Sequence, residues 1–301
     1  WRQVEDSDGF DIENVSLSSP MYGMITGLTT FNCQRGLYPH PILVNLYAKV
    51  GLHRYNMMEG TSFQLNALVK FNMSPTAMAS FYMTLLAHDP TDSTLQKTFQ
   101  VQVDEGKCGH LDMTCSIARL KDEVTGKKPF IPHFHGSATT NGIFKGDLPE
   151  WPSDDALNDG KRFYVVKKSE WEATDWISLY LEIVICANDR WNFKSLPHKD
   201  FWSKLEIVKV AIETGIEDAE PPNERLKAKS ANVYIMFKGL AEARAFRRVF
   251  EIGEHVERKA IVRRVMDHKG YLTLQGKLCG GQSTDTRTCK KRPHFWVDGT
   301  V

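Results

Sequence analysis

Apolar and polar residues alternate one for one in run after run of this chain, and that spacing restricts what it can fold into. Phe63, Leu65, Ala67, Val69 and Phe71 alternate with Gln64, Asn66 and Lys70. Phe81, Met83, Leu85 and Ala87 alternate with Tyr82, Thr84 and His88, and Phe99, Val101 and Val103 with Gln100 and Gln102. Successive side chains of a strand point to opposite faces, so each run predicts a strand with one buried face. The turn-forming stretches NMSPT and DPTDST separate the three runs, which reads as an antiparallel meander. Later in the chain Ile177, Leu179, Leu181, Ile183 and Ile185 alternate, and similar runs lie at 204–213, 232–239, 258–266 and 271–278. Both halves therefore carry a meander, without a fixed-period repeat.

One segment breaks this pattern. Leu43, Leu46, Tyr47 and Val50 recur at helical spacing, with Pro41 suited to a first helical position and Gly60 to a stop. Gly51 is costly inside a helix by about 1 kcal/mol relative to alanine, which implies a close packing partner. The preceding MYGMITGLTTFN is too interrupted by glycine to be helical. These readings divide the chain into a polar lead-in (1–20), a helix-and-strand unit (21–120), an irregular connection rich in glycine and proline (121–162), a second β-rich domain (163–279) and a mobile tail (280–301). The expected fold class is α+β, a helix packed on an antiparallel sheet plus a second antiparallel β-rich domain.

The helix sequence YAKVGLHRYN resembles the plant cystatin signature L-A-R-F-A-V-x-E-H-N, with Ala48, Lys49, Leu52, Tyr55 and Asn56 in compatible places. The strands FYMTLLAHD and KTFQVQV that follow are similar to the strands after that helix in cystatins. Together with EIVKVAIET, ANVYIMFKG and KAIVRRVMD, the layout resembles a plant-specific family of uncharacterised cystatin-related proteins. Some members are named after embryo-defective or male-sterile mutants. The resemblance implies a cystatin-like helix-on-sheet unit and a role in reproductive or embryo development.

Cystatins inhibit cysteine proteases through a glycine-bearing wedge with a Q-x-V-x-G hairpin, because side chains at its tip would collide with the cleft. The corresponding turn here, Asn72, Met73, Ser74 and Pro75, holds no glycine and is the wedge-equivalent candidate binding segment. The nearest substitute, Gln102 to Gly106, has its valine out of place at the wrong strand end, and Trp151 lies too far downstream to serve as the tryptophan hairpin. The expected function is a non-enzymatic protein-interaction module with an unknown protein partner. Cysteine protease inhibition is the alternative.

Other chemistries find little support in the residues. His133-Phe134-His135 with Cys108, His110 and Cys115 offers nitrogen and sulfur ligands but matches no standard zinc spacing, so no metal or cofactor is expected. No nucleophile motif or phosphate loop occurs, and Asp154 and Asp155 read as solvated turn residues, so no catalytic residue is assigned. Lysine plus arginine number 38 against 37 acidic residues, leaving no overall field for nucleic acid. The basic cluster from Arg244 to Lys269 is interleaved with acids and reads as a salt-bridged, solvated strand face. No run reaches the ~18 apolar residues of a membrane helix, and six cysteines are sparse for 301 residues, which points to a reducing compartment, cytoplasmic or nuclear.

Overall fold

The computed structural model describes residues 7–12, 27–34, 37–74, 76–123, 138, 140–188, 205–215, 222–239 and 257–279. Ten strands are joined in one antiparallel sheet: β1 (Thr29–Asn32), β2 (Gln64–Met73), β3 (Ser80–Asp89), β4 (Asp92–Glu105), β5 (Leu111–Leu120), β6 (Phe163–Val166), β7 (Glu206–Glu213), β8 (Ala231–Lys238), β9 (Arg258–Met266) and β10 (Leu272–Cys279). Their order across the sheet is β1-β2-β3-β4-β5-β10-β9-β8-β7-β6. Helix α1 (Pro41–Glu59) follows β1. The short helices α2 (Asp154–Leu157) and α3 (Lys168–Glu172) flank β6, and α4 (Asp175–Asn188) precedes β7. Each half thus reads strand, helix, four-strand meander, and each unrolls outward from the β5–β10 junction in the same order.

That junction corrects the expected fold class. The chain is not a cystatin-like helix-on-sheet unit plus a second β-rich domain, but a mainly β molecule built on one continuous sheet. β5 and β10 pair directly, from Leu272 opposite Cys115 to Gly276 opposite Leu111. Each half alone would leave its last long strand with an unpaired edge, and joining the two removes both. A single hydrophobic core spans the halves, from Leu46 and Val50 of α1 to Ile183 of α4 and Val233 and Ile235 of β8.

The alternating run at 177–185 is also not a strand. It lies in α4, where Tyr180, Val184 and Cys186 are buried along with Ile177, Leu181, Ile183 and Ile185. A helix apolar on most of its circumference mimics strand alternation, and its length, 14 residues, is the distinguishing sign.

α1 matches its sequence signals. Proline stands in the first turn, and Gly60 ends the helix in the left-handed conformation at φ 66°, its N–H donating to Asn56 O. Gly51 faces β4 so closely that an added Cβ would overlap the methyls of Val101. Tyr55 packs edge-on against Phe63 and Phe99. Asn56 ties the helix end to β2, accepting from Phe63 N at 3.0 Å and donating to Phe63 O at 2.9 Å.

Helices α1 and α4 cover one face of the sheet. On the other, Phe10, Ile12 and Leu28 cover Tyr82 in the first half, so the polar lead-in carries buried anchors. In the second half Leu157 packs with Phe163, Tyr234 and Ile261. The expected mobile tail lies outside the described residues. No helix among the described residues is long and apolar enough to cross a membrane.

Candidate functional site

The wedge-equivalent turn is largely internal. Asn72 is fully buried and donates its amide to Gly9 O at 2.6 Å and Phe10 O at 3.0 Å. Met73 is buried in the main core. Ser74 is buried too, and its Oγ accepts from Ser80 N at 2.8 Å. Pro75 lies outside the described residues, and among the described residues of the turn 76–78 are exposed at the tip. Burial of Asn72 also closes the sequon Asn72-Met73-Ser74 to a glycosyl group.

Of the metal-site residues singled out in the sequence, His133 and His135 lie outside the described residues. Cys115 is buried, its thiol pKa pushed up to about 12 by burial, and Sγ–H points to Ile117 O at 3.4 Å. Among the described residues no group of three or more His, Cys, Asp or Glu could hold a metal ion. Asp154 and Asp155 form the first turn of α2, capped by Ser153, whose Oγ accepts from Ala156 N.

Residues 240–256 of the basic cluster, Arg244, Arg247 and Arg248 among them, lie outside the described residues; Arg263 and Arg264 differ from the solvated reading. Arg263 and Arg264 are 2% and 1% exposed, on opposite faces of β9. Arg263 donates Nη1 to Phe144 O and Gly146 O, Nη2 to Asp147 O and Nε to Asn232 Oδ1, all within 3.1 Å, which clamps the 144–147 segment onto the outer face. Burial lowers its pKa from the ordinary arginine value. On the helix face, Arg264 stacks on Trp176 at 4.5 Å and donates to Ala228 O at 2.7 Å. The sequence held a sign of this: in IVRRVM apolar residues flank the arginines on both parities, so both faces of β9 had to be buried.

Two further ionisable groups are tied inward. Glu213 accepts from Tyr234 Oη at 2.7 Å, Asn232 Nδ2 at 3.0 Å and Arg162 Nε at 2.6 Å. Burial pushes its pKa up, but those hydrogen bonds and the Arg162 charge outweigh it and hold the carboxyl below its usual value. His53 of α1 meets Tyr180 Oη at 3.0 Å and stacks near Trp176, and burial together with the Arg264 charge pulls its pKa down to about 3.

The surface feature that stands out is β6. Among the described residues it pairs only with β7 and ends the sheet. Its sequence, Phe-Tyr-Val-Val, carries none of the charges or prolines that usually protect an edge strand. Val165 is 38% exposed. The strand is held from both ends: Arg225 donates to Lys161 O and Arg162 O, and Tyr164 Oη donates to the Glu170 carboxylate at 2.6 Å.

A family model described as Protein MS5 matches residues 148–274, the part of the chain from just before α2 into the start of β10. The UPF0725 protein At1g23970 of Arabidopsis thaliana is 56% identical over 96% of this chain and 89% of that protein. UPF0725 protein EMB2204 of the same plant is 43% identical over 93% of this chain and 79% of its own length. The crystal structure of MS5 from Brassica napus is similar with a TM-score of 0.59 at 34% identity, covering 79% of this chain and 97% of that one. With a relative this similar along nearly its whole length, the chain belongs to the MS5/UPF0725 family of plant proteins.

Proposed function

We propose that the chain is a non-enzymatic protein-interaction module whose partner adds an extended segment to the β6 edge. The observation that carries this is Val165, an exposed large apolar side chain on an uncharged terminal strand fixed in position. Such an edge offers main-chain hydrogen bonds for affinity and alternate side-chain positions for specificity. The buried ionisable groups support the reading, because Arg263, Arg264 and Glu213 are engaged in holding the sheet and its coverings together. The proposal includes a role in reproductive or embryo development, supported by the mutant names in the family, and a cytoplasmic or nuclear site, supported by the sparse cysteines.

Affinity capture from reproductive plant tissue with the wild type and with Val165→Lys tests this. A protein retained by the wild type and lost with Val165→Lys, at unchanged circular dichroism, is the expected result. Equal retention by both sinks the edge reading. Tight stoichiometric inhibition of a papain-like protease would overturn the module in favour of the inhibitor alternative; the burial of Asn72, Met73 and Ser74 argues against that outcome.

A further inference from the structure

On the outer face of the second half, a row of side chains crosses four strands: Lys209 of β7 opposite Met236 of β8, Met236 opposite Lys259 of β9, and Lys259 opposite Cys279 of β10. Lys277 stands one position along, opposite Ile261. Three lysines thus converge on one patch of sheet. The segment 148–157 lies over it as a strap. Glu150 meets Lys277 Nζ at 2.9 Å, Asp154 meets Lys209 Nζ at 3.9 Å, and the Trp151 ring sits 5.0 Å from Lys259 Nζ and edge-on to Tyr234. The strap is therefore an acidic peptide with an aromatic anchor, bound to a basic sheet.

Its ends are fixed more firmly than its middle. Arg263 holds the carbonyls of Gly146 and Asp147 just before it, and Leu157 is buried at its far end. Between them the ion pairs are weak, since the side chains of Glu150 and Asp154 are 91% and 85% exposed. The buried indole Nε1–H of Trp151 has no hydrogen-bond partner. An unsatisfied buried donor carries a desolvation penalty that is relieved when the group returns to water, so lifting the middle of the strap has a compensating gain.

We propose that the strap covers a second binding surface, and that its partner is an acidic peptide with an aromatic residue, which displaces 148–154 and takes its place over Lys209, Lys259 and Lys277. This rests on the interaction-module reading but uses a different surface from β6. Its test is independent of Val165, so failure here leaves the edge reading standing.

The probe is a labelled peptide of the strap's own sequence, LPEWPSDDAL, added to the full chain and followed by fluorescence anisotropy. Opened variants are Trp151→Ala and, should that variant fail to fold, the double substitution Glu150→Lys with Asp154→Lys, which keeps Trp151 and replaces both ion pairs with like-charge repulsion that lifts the strap. The expected result is saturable binding to an opened variant about tenfold tighter than to the wild type. That binding weakens as salt rises and is lost when Lys259→Glu is added. Equal affinity for opened and wild-type chains, no saturable binding to a folded opened variant, or binding indifferent to Lys259→Glu would each overturn the proposal.

Discussion

His53 stands where α1 meets α4, its Nε2 3.0 Å from the Tyr180 hydroxyl, which in turn lies 3.5 Å from Arg264 Nη1. Arg264 can only donate, so the hydroxyl accepts from it and donates onward to a neutral imidazole. Protonating His53 would set two donors against each other and place a second cation near Arg264. Folding therefore favours the neutral ring. The unfolded chain binds the proton near pH 6.5 and the folded chain only near 3, so between those values the unfolded state holds more protons and stability falls as pH falls. Denaturant titrations across this window should show a loss on the order of 2–4 kcal/mol that is absent from His53→Gln; an unchanged slope in the variant would assign the acid sensitivity to other groups. Glu213 is shifted in the same direction for the opposite reason, its charged form being favoured rather than disfavoured: its depressed pKa contributes stability above the unfolded carboxylate value, lost as pH falls through the folded one. The arginines admit a sharper test. Arg263→Met leaves the carbonyls of Phe144, Gly146 and Asp147 without their donor, and a loss of roughly 3 kcal/mol in urea unfolding is expected. A loss within about 0.5 kcal/mol, the range of ordinary surface changes, would mean the clamp is not structural.

At the scale of elements, two glycines set how closely the helices lie on the sheet. Gly51 of α1 meets Val101, and Gly276 of β10 lies where an added Cβ would come within 2.9 Å of both Leu111 Cδ2 and Val184 Cγ2, between β5 and α4. Gly51→Val should force α1 off β4 and cost at least the 1–3 kcal/mol typical of overpacking, read as a drop in Tm; pairing it with Val101→Ala should restore part of the loss, whereas a purely additive double variant would show that the two do not touch. This contact was legible in the sequence, because a glycine inside an otherwise good helix calls for a close neighbour. The long strands of both meanders were legible for the same kind of reason: one covered face imposes alternation. What escaped was structure whose residues face apolar surroundings on every side. α4 was read as a strand for that reason; β5 is a different case, because Leu111, Met113, Cys115 and Ile117 alternate cleanly with Asp112, Thr114 and Ser116, a strand signal that the sequence did carry. The short edge strands β1 and β6, four residues each, are below the length at which alternation can be recognised. Burial of the Asn72–Ser74 turn depends on Phe10 and Ile12 folding back from far along the chain, which no local pattern records.

For the whole molecule, the repetition of strand, helix and meander invites a picture of two domains, and the sheet order argues against it. The halves share a ten-stranded sheet and one core, and their helices touch in antiparallel fashion, with His53 near Trp176 and Tyr180 at one end and Lys49 near Glu182 further along. Burial raises the Glu182 carboxyl above its usual pKa while Lys49 opposes the rise, so even this seam is partly desolvated. Separating the halves would expose the paired edges of β5 and β10 together with the facing sides of both helices, and an unpaired long edge is a template for aggregation. The two repeats should therefore unfold as one. Calorimetry should give a single transition whose calorimetric and van't Hoff enthalpies agree. Gly276→Val, at the junction, should lower hydrogen-exchange protection in β3 and β8 alike, although the two strands belong to different halves. Two resolved transitions, or protection lost in β8 alone, would show that the repeats keep separate stabilities and that the continuous sheet joins them without making them one cooperative unit.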